Sequence, residues 1–239
     1  MKRLQIATFT VWVGSIGAFN VPTQKPGFPA FRKHAVAIHS SKEQNDPSLS
    51  LADEVRDQFP ILSEPGHGGK KITYLDSAAT SQKPLAVLNA VDSFYREANS
   101  NVHRGAHFLA NRATERYEGA RDKIAAFIGA SRREEIVFTA GATEAINLVA
   151  NSWGAANLGP GDEVILSVAE HHSNLVPWQL LAQRQGVLLH FVGLDEAMRY
   201  DLNQLEGLIS KRTKLISLGH VSNVLGVVNP VEEVCTQRS

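Results

Sequence analysis

The chain has 239 residues, 43% of them hydrophobic, with 18 glycines and 10 prolines. That suits a globular protein with a sizeable core and excludes collagen-like and low-complexity chains. Lys and Arg (24) balance Asp and Glu (24), so net charge gives no reason to bind nucleic acid, and a single cysteine excludes an internal disulfide framework or a cysteine-rich zinc site. The balance conceals an asymmetry. Residues 1–42 hold no Asp or Glu but carry Lys2, Arg3, Lys25, Arg32, Lys33 and Lys42, leaving 18 basic residues against 24 acidic ones in the rest.

A basic, acid-free leader before an acidic body is a targeting signature. Lys2 and Arg3 precede an apolar run, Ile6 to Ala18, too short to span a bilayer comfortably, and Ser15, Gly17 and Ala18 offer a cleavage point before Phe19. The Pro-rich stretch that follows resembles a plastid transit peptide. A signal peptide over about residues 1–18 joined to a transit peptide-like segment over 19–42 resembles the bipartite leaders of algae with secondary plastids. The expected location is therefore a plastid, with secretion or a signal anchor as the alternative and no membrane segment in the mature form.

Beyond the leader, residues 43–60 predict a helical arm on which Leu49, Val55 and Phe59 share a face and which Pro60 stops. Glu64 to Lys71 reads as a Gly-rich loop and Tyr74 to Ala79 as a short strand or extended entry. Pro84 suits a helix start, and the helix runs to about Ala98. Leu109, Ala113, Tyr117, Ala120, Ile124 and Phe127 recur at helical spacing and predict a long amphipathic helix closed by Gly129. Ile136 to Phe138 predicts a buried strand, Thr143 to about Asn157 a helix, and Gly159 to Asp162 a turn. Strands over Glu163–Val168, Leu188–Val192 and Lys214–Leu218, separated by helices near Val176–Arg184 and Leu202–Ser210, predict a mainly parallel sheet in an α/β layer fold.

Three segments carry chemistry. Phe138-Thr139-Ala140-Gly141-Ala142-Thr143-Glu144 runs from a strand through a small-residue turn into a helix. Backbone N–H groups at such a helix start attract an anion, and Thr143 adds a hydroxyl; an ordinary turn with a Thr cap reads the same. Glu170-His171-His172-Ser173-Asn174 follows a strand, where α/β proteins bind ligands. A His there can stack on a heteroaromatic ring or take a proton, or the segment is a solvated loop with a Ser or Asn cap. Adjacent histidines point apart and chelate one metal poorly. Arg104, in Asn101-Val102-His103-Arg104-Gly105, is either a carboxylate clamp or a surface Arg. With Arg at 104, His103 and His107 do not form the H-E-x-x-H zinc pattern, and no metal site is expected.

Taken together, Tyr74 to Thr80 (YLDSAAT), Asn101 to Gly105 (NVHRG), Phe138 to Trp153 (FTAGATEAINLVANSW), Glu170 to Trp178 (EHHSNLVPW) and His220 to Gly226 (HVSNVLG) resemble the class V aminotransferase family, and most of all its Suf-type cysteine desulfurases, including plastid ones. The resemblance runs from about Leu49 to Val234. It implies the fold-type I architecture of pyridoxal-phosphate-dependent transferases, here the first half of the large domain, and a homodimer. It also implies conversion of L-cysteine to L-alanine, with persulfide sulfur passed to a Suf-type acceptor protein for iron–sulfur cluster assembly. By the same resemblance, Gly141, Ala142 and Thr143 hold the phosphate of pyridoxal 5'-phosphate. His171 stacks on its ring and relays protons, and Asn223 sits by the cofactor's phenolic oxygen and the substrate carboxylate. Asp76, Ser77 and Ala78 line the substrate entrance, and His103 and Arg104 lie at its mouth. Ala140 and Ala142 depart from the family, which often has Arg and Thr there.

The largest departure is length. Family members are roughly twice as long as the matched region. The Schiff-base lysine, the Asp on the pyridinium nitrogen, a substrate-binding Arg and the sulfur-accepting Cys fall after Val234 in the family. Cys235, Lys211 and Lys214 do not match them by position. The expected organisation is a leader over 1–42, an arm and loop over 43–72, and a truncated large α/β domain over 73–239, inactive by itself. Selenocysteine lyase or another class V enzyme, and a non-catalytic desulfurase-derived half-domain, are the alternative readings.

Overall fold

Three short apolar stretches of the chain become the strands of one parallel sheet, and the segments between them become the helices that cover it. The computed structural model describes residues 51–236. The leader, Leu49 and the start of the helical arm lie outside the described residues. Contacts divide the chain so that residues 51–120 form one unit and residues 121–236 another.

In the first unit, α1 (Leu51–Arg56) is what the described residues show of the arm. Pro60 does not stop this helix; it opens a separate 3-10 turn, Pro60–Ser63, as expected of a residue with fixed φ and no N–H to leave unsatisfied. The Arg56 guanidinium ties the turn to the next segment by donating to Leu62 O (2.9 Å) and Ile72 O (2.7 Å). Tyr74 to Asp76 runs extended and Ser77 to Ala79 turns, with Thr80 N–H donating to Asp76 O. Pro84 caps α2 (Leu85–Glu97). The long helix α3 (Phe108–Ile128) contains the boundary between the units, and Gly129 follows it at φ 74°, the left-handed geometry that ends helices. Arg112 and Arg116 of α3 reach Glu97 of α2 at 3.0 and 2.9 Å. The expected apolar face of α3 is only partly used: Ala113 is buried with Ala110 and Ala125, whereas Leu109, Tyr117 and Phe127 are exposed. Small side chains let the helix approach its neighbours closely, and the large ones on the predicted stripe stay outside that contact.

In the second unit, Ile136 to Phe138 is extended but, among the described residues, forms no strand of the sheet. Ile136 is buried and makes a single bridge, and Val137 is exposed. The helix expected from Thr143 is composite: α4 (Ala142–Val149), a π-helical turn (Ala150–Gly154) and α5 (Ala155–Asn157). The strands follow as β1 (Glu163–Ser167), β2 (Leu188–Val192) and β3 (Thr213–Ile216), with α6 (Val176–Gln185) between the first two and α7 (Leu202–Leu208) between the last two. The last described element is α8 (Val231–Thr236).

Within this sheet both strand pairs are parallel, in the order β2-β1-β3. The central strand β1 is buried along its whole length, and its side chains alternate between two cores. Val164 and Leu166 join Ile146, Val149, Trp178 and Leu181 from α4 and α6; Ile165 joins Val192, Tyr200, Leu205 and Ile216 on the opposite face. Helices therefore cover both faces. The carboxyl ends of all three strands open into the loops 168–174, 193–200 and 217–223, the edge where parallel α/β sheets place ligands.

Candidate active site

The amino end of α4 presents backbone N–H groups of the kind that suit an anion. Its ladder starts with Ala145 N–H donating to Gly141 O, so the N–H groups of Ala142, Thr143 and Glu144 have no acceptor inside the helix. Glu144 folds back to accept from Ala140 N–H at 2.5 Å, and Thr139 Oγ1 donates to Gly141 O at 3.2 Å; together they fix the turn. Gly141 is extended (φ 163°), a conformation open to any residue, and a Cβ there would meet nothing within 4 Å. Glycine's contribution at this position is open space beside the backbone. The Thr143 side chain is exposed at the same end.

The α4 helix packs against the 3-10 turn His172–Asn174, whose cap is His171. The cap is the His171 side chain itself, not Ser173 or Asn174. Its Nδ1 accepts from Ser173 N–H at 3.1 Å, with Ser173 Oγ 2.8 Å from the same nitrogen. A backbone N–H is only a donor, so Nδ1 holds a lone pair and the neutral ring carries its proton on Nε2. The His171 and His172 ring centroids lie 6.3 Å apart, with the ring planes tilted by 47°.

Beneath this turn lies a polar network that the motif reading leaves without a role. The Glu170 carboxylate accepts from Ser167 Oγ (2.7 Å), Asn174 Nδ2 (2.7 Å) and Gly219 N–H (3.1 Å). Tyr200 OH is 3.2 Å from Glu170 and donates to Gly219 O at 2.6 Å. Burial, and then the negative charge of Glu170, raise the Tyr200 hydroxyl far above the usual phenol range. Asn174 is buried and also bonds Trp178 Nε1–H and Ser217. Four residues beyond Gly219, Asn223 is exposed in a turn closed by Gly226 N–H donating to Ser222 O and framed by a Val221–Val228 bridge. A Glu directly before a His pair was the one sequence signal for this network; Tyr200 had none.

The remaining candidates belong to the other unit. Asp76, Ser77 and Ala78 are exposed in their turn, where Tyr74 OH donates to Asp76 O (3.1 Å) and Thr80 O. His103 sits in the left-handed region (φ 63°), unusual outside glycine. It is held there by its N–H donating to Thr114 Oγ1 (3.0 Å) and its Nε2 at 2.8 Å from Glu118. Arg104, next in the chain, is exposed. Within the α/β unit, by contrast, Gly141 to Thr143 and His171 come together on packed neighbours.

These α/β-unit residues fit pyridoxal phosphate at two points: an anion site with open space at Gly141, and an imidazole on the adjoining turn. The chemistry of the donors matches, since N–H groups and a hydroxyl suit a phosphate, and a ring held in one tautomer suits a planar heterocycle.

Comparisons with known proteins place the chain in a family. Residues 73–238 match the family model described as Aminotransferase class-V. A protein of Synechocystis sp. described as "Probable cysteine desulfurase" is 55% identical over 185 residues, covering 77% of this chain and 44% of that protein. A cysteine desulfurase of Serratia proteamaculans is 50% identical over 185 residues (77% and 45%). Among solved structures, the apo cysteine desulfurase from Thermococcus onnurineus superposes with a TM-score of 0.71 at 40% identity, covering 80% of this chain and 45% of that one. The chain thus spans less than half the length of these relatives. With residues 73–238 matched by the family model, the chain belongs to the class-V aminotransferases, the pyridoxal-phosphate-dependent family to which the cysteine desulfurases belong.

Proposed function

We propose that this chain supplies the cofactor-phosphate and ring-binding part of a Suf-type, pyridoxal-phosphate-dependent cysteine desulfurase. The observation that carries the reading is the packing of the α4 amino end, with Gly141 and Thr143, against the turn capped by His171. The names of the similar proteins, cysteine desulfurases all, support the substrate. In the reaction proposed for the whole protein, the C–S bond of L-cysteine breaks, L-alanine leaves, and the sulfur is passed to an enzyme thiol as a persulfide for iron–sulfur cluster assembly. Bound pyridoxal phosphate supplies an electron sink for charge that develops next to the amino group.

The chain's own residues have distinct tasks. The Ala142, Thr143 and Glu144 N–H groups and the Thr143 hydroxyl bind the phosphate. The His171 ring covers the heterocycle and holds a transferable proton at Nε2. Asn223 offers an amide to the cofactor rim and the substrate carboxylate, and Asp76, Ser77, Ala78, His103 and Arg104 serve the substrate entrance. A homodimer, a sulfur-acceptor partner and a plastid destination for the leader belong to the same reading.

The test is equilibrium binding of pyridoxal phosphate to the full chain. Thr143→Ala and His171→Ala should each weaken it about fivefold to tenfold, the effect of one lost hydrogen bond or one lost ring contact. Affinity unchanged by both substitutions refutes the assignment.

A further inference from the structure

We propose that Glu170 is a positioning residue that locks the turn carrying His171 to the exit of β3, and with it the segment leading to Asn223. The argument is one of obligatory polarity. Trp178 Nε1–H can only donate, and it donates to Asn174 Oδ1 at 3.1 Å, which fixes the orientation of the Asn174 amide. The Nδ2 group must then point away from Trp178; it donates to Ser217 O (3.1 Å) and Glu170 Oε2 (2.7 Å). On the other side of the carboxylate, Gly219 N–H, also only a donor, meets Oε1 at 3.1 Å. Ser167 Oγ accepts from Ala169 N–H (3.2 Å), which turns its own proton toward Oε1 at 2.7 Å. Both oxygens of residue 170 are therefore obliged to accept. A carboxylate meets that demand. A glutamine of the same shape cannot, because its NH2 would face a donor whichever way it turned.

The donors come from the end of β1 (Ser167), the turn after His171 (Asn174) and the exit of β3 (Gly219), with Tyr200 bracing Gly219 from the loop before α7. Asn174 N–H also donates to His171 O at 2.8 Å, so displacement of Asn174 is passed directly to the His171 backbone. The Ser173 N–H bond that fixes the His171 tautomer lies within the same turn. Glu170 thus acts on the cofactor through His171, and this inference rests on the ring-stacking assignment made above.

The experiment uses the full 239-residue chain with isotope-labelled histidine nitrogens, as wild type, Glu170→Gln and Tyr200→Phe, with His171→Ala to assign the signal. Two quantities are read: the nitrogen chemical shifts of His171, which report its tautomer, and the affinities for pyridoxal phosphate and for inorganic phosphate. Wild type should show the Nε2–H form. Folded Glu170→Gln should show a mixture of tautomers, with pyridoxal phosphate bound about tenfold more weakly and inorganic phosphate unaffected, since the α4 site is untouched. Tyr200→Phe should shift His171 in the same direction by less.

His171 signals in folded Glu170→Gln that superimpose on wild type overturn the proposal, even if the variant is less stable. If Glu170→Gln does not fold, Tyr200→Phe decides: an unchanged His171 signal overturns the proposal and a shifted one supports it. If wild type fails to bind pyridoxal phosphate, the functional reading falls, while a tautomer change in the variants still supports the positioning role.

Discussion

Glu163 lies at the amino end of β1, opposite the candidate site, with only 2% of its surface exposed. Its Oε2 accepts from Ser210 Oγ (2.6 Å) and Thr213 Oγ1 (3.2 Å), and its Oε1 lies 2.8 Å from Arg212 and 3.7 Å from His190. One carboxylate thus gathers groups from β1, β2 and the start of β3. Glu163→Gln keeps the shape and removes the charge. Two hydroxyl-to-carboxylate bonds weakened by about 1 kcal/mol each give a loss of about 2 kcal/mol. The Arg212 pair adds little, because Arg212 is mostly exposed and solvent screens it. The expected fall in melting temperature is about 4–8 °C.

The loss should depend on pH. Burial alone would raise the Glu163 carboxyl, but the Ser210 and Thr213 bonds and the charges of Arg212 and His190 outweigh it and hold the group below the usual carboxylate range. A depressed folded-state value means that the stabilisation is fully present above the unfolded value of 4.5 and is lost as pH falls through the folded one. Urea unfolding of wild type and variant at a series of pH values measures this directly. The gap should be full at neutral pH and close in acid. A gap that is absent at neutral pH, or constant down to the acid limit of folding, refutes the reasoning.

Other outcomes follow from the same structure. Gly154→Ala places a Cβ 2.9 Å from Leu181 Cδ2, and urea unfolding should show a loss of about 1–3 kcal/mol. Gly186 ends α6 at φ 70°, so Gly186→Ala should lose about 1 kcal/mol in the same assay. Fused to a fluorescent reporter, residues 1–48 should direct it to the plastid of an alga with a secondary plastid; reporter found only in the medium would refute the bipartite leader.

The sheet was legible because β1, β2 and β3 are short apolar runs between turn residues, and their bounds moved by a residue or two at most. The Gly129 helix end and the Pro84 start carried their own local signals. Pro60 misled because the same fixed φ that stops one helix starts a 3-10 turn. Ile136 to Phe138 has the composition of a strand, yet pairing is a property of neighbours and not of the segment. The start of α4 and the turn at His171 were legible as local structure, because a helix start and a loop after a strand are local features. Glu170, Asn174, Tyr200 and Ser217 were not: their bonds span up to 49 positions, and no spacing rule joins a hydroxyl at 200 to a carboxylate at 170.

The strand order has a consequence for synthesis on the ribosome. The middle strand of the sheet, β1, leaves the exit tunnel before either neighbour, followed by α6 and then β2. Glu163 meets Leu188 first and Thr213 only after twice that length of chain has emerged. A β1–α6–β2 unit can therefore form while β3 is still being made, with one core covered by Trp178 and Leu181 and the opposite face, Ile165 and Val192, not yet covered by a helix. That face waits for Leu205 and Ile216. During this interval the nascent chain presents one naked side of β1 to solvent, and slow translation between codons 192 and 216 would lengthen its exposure to chaperones and to aggregation.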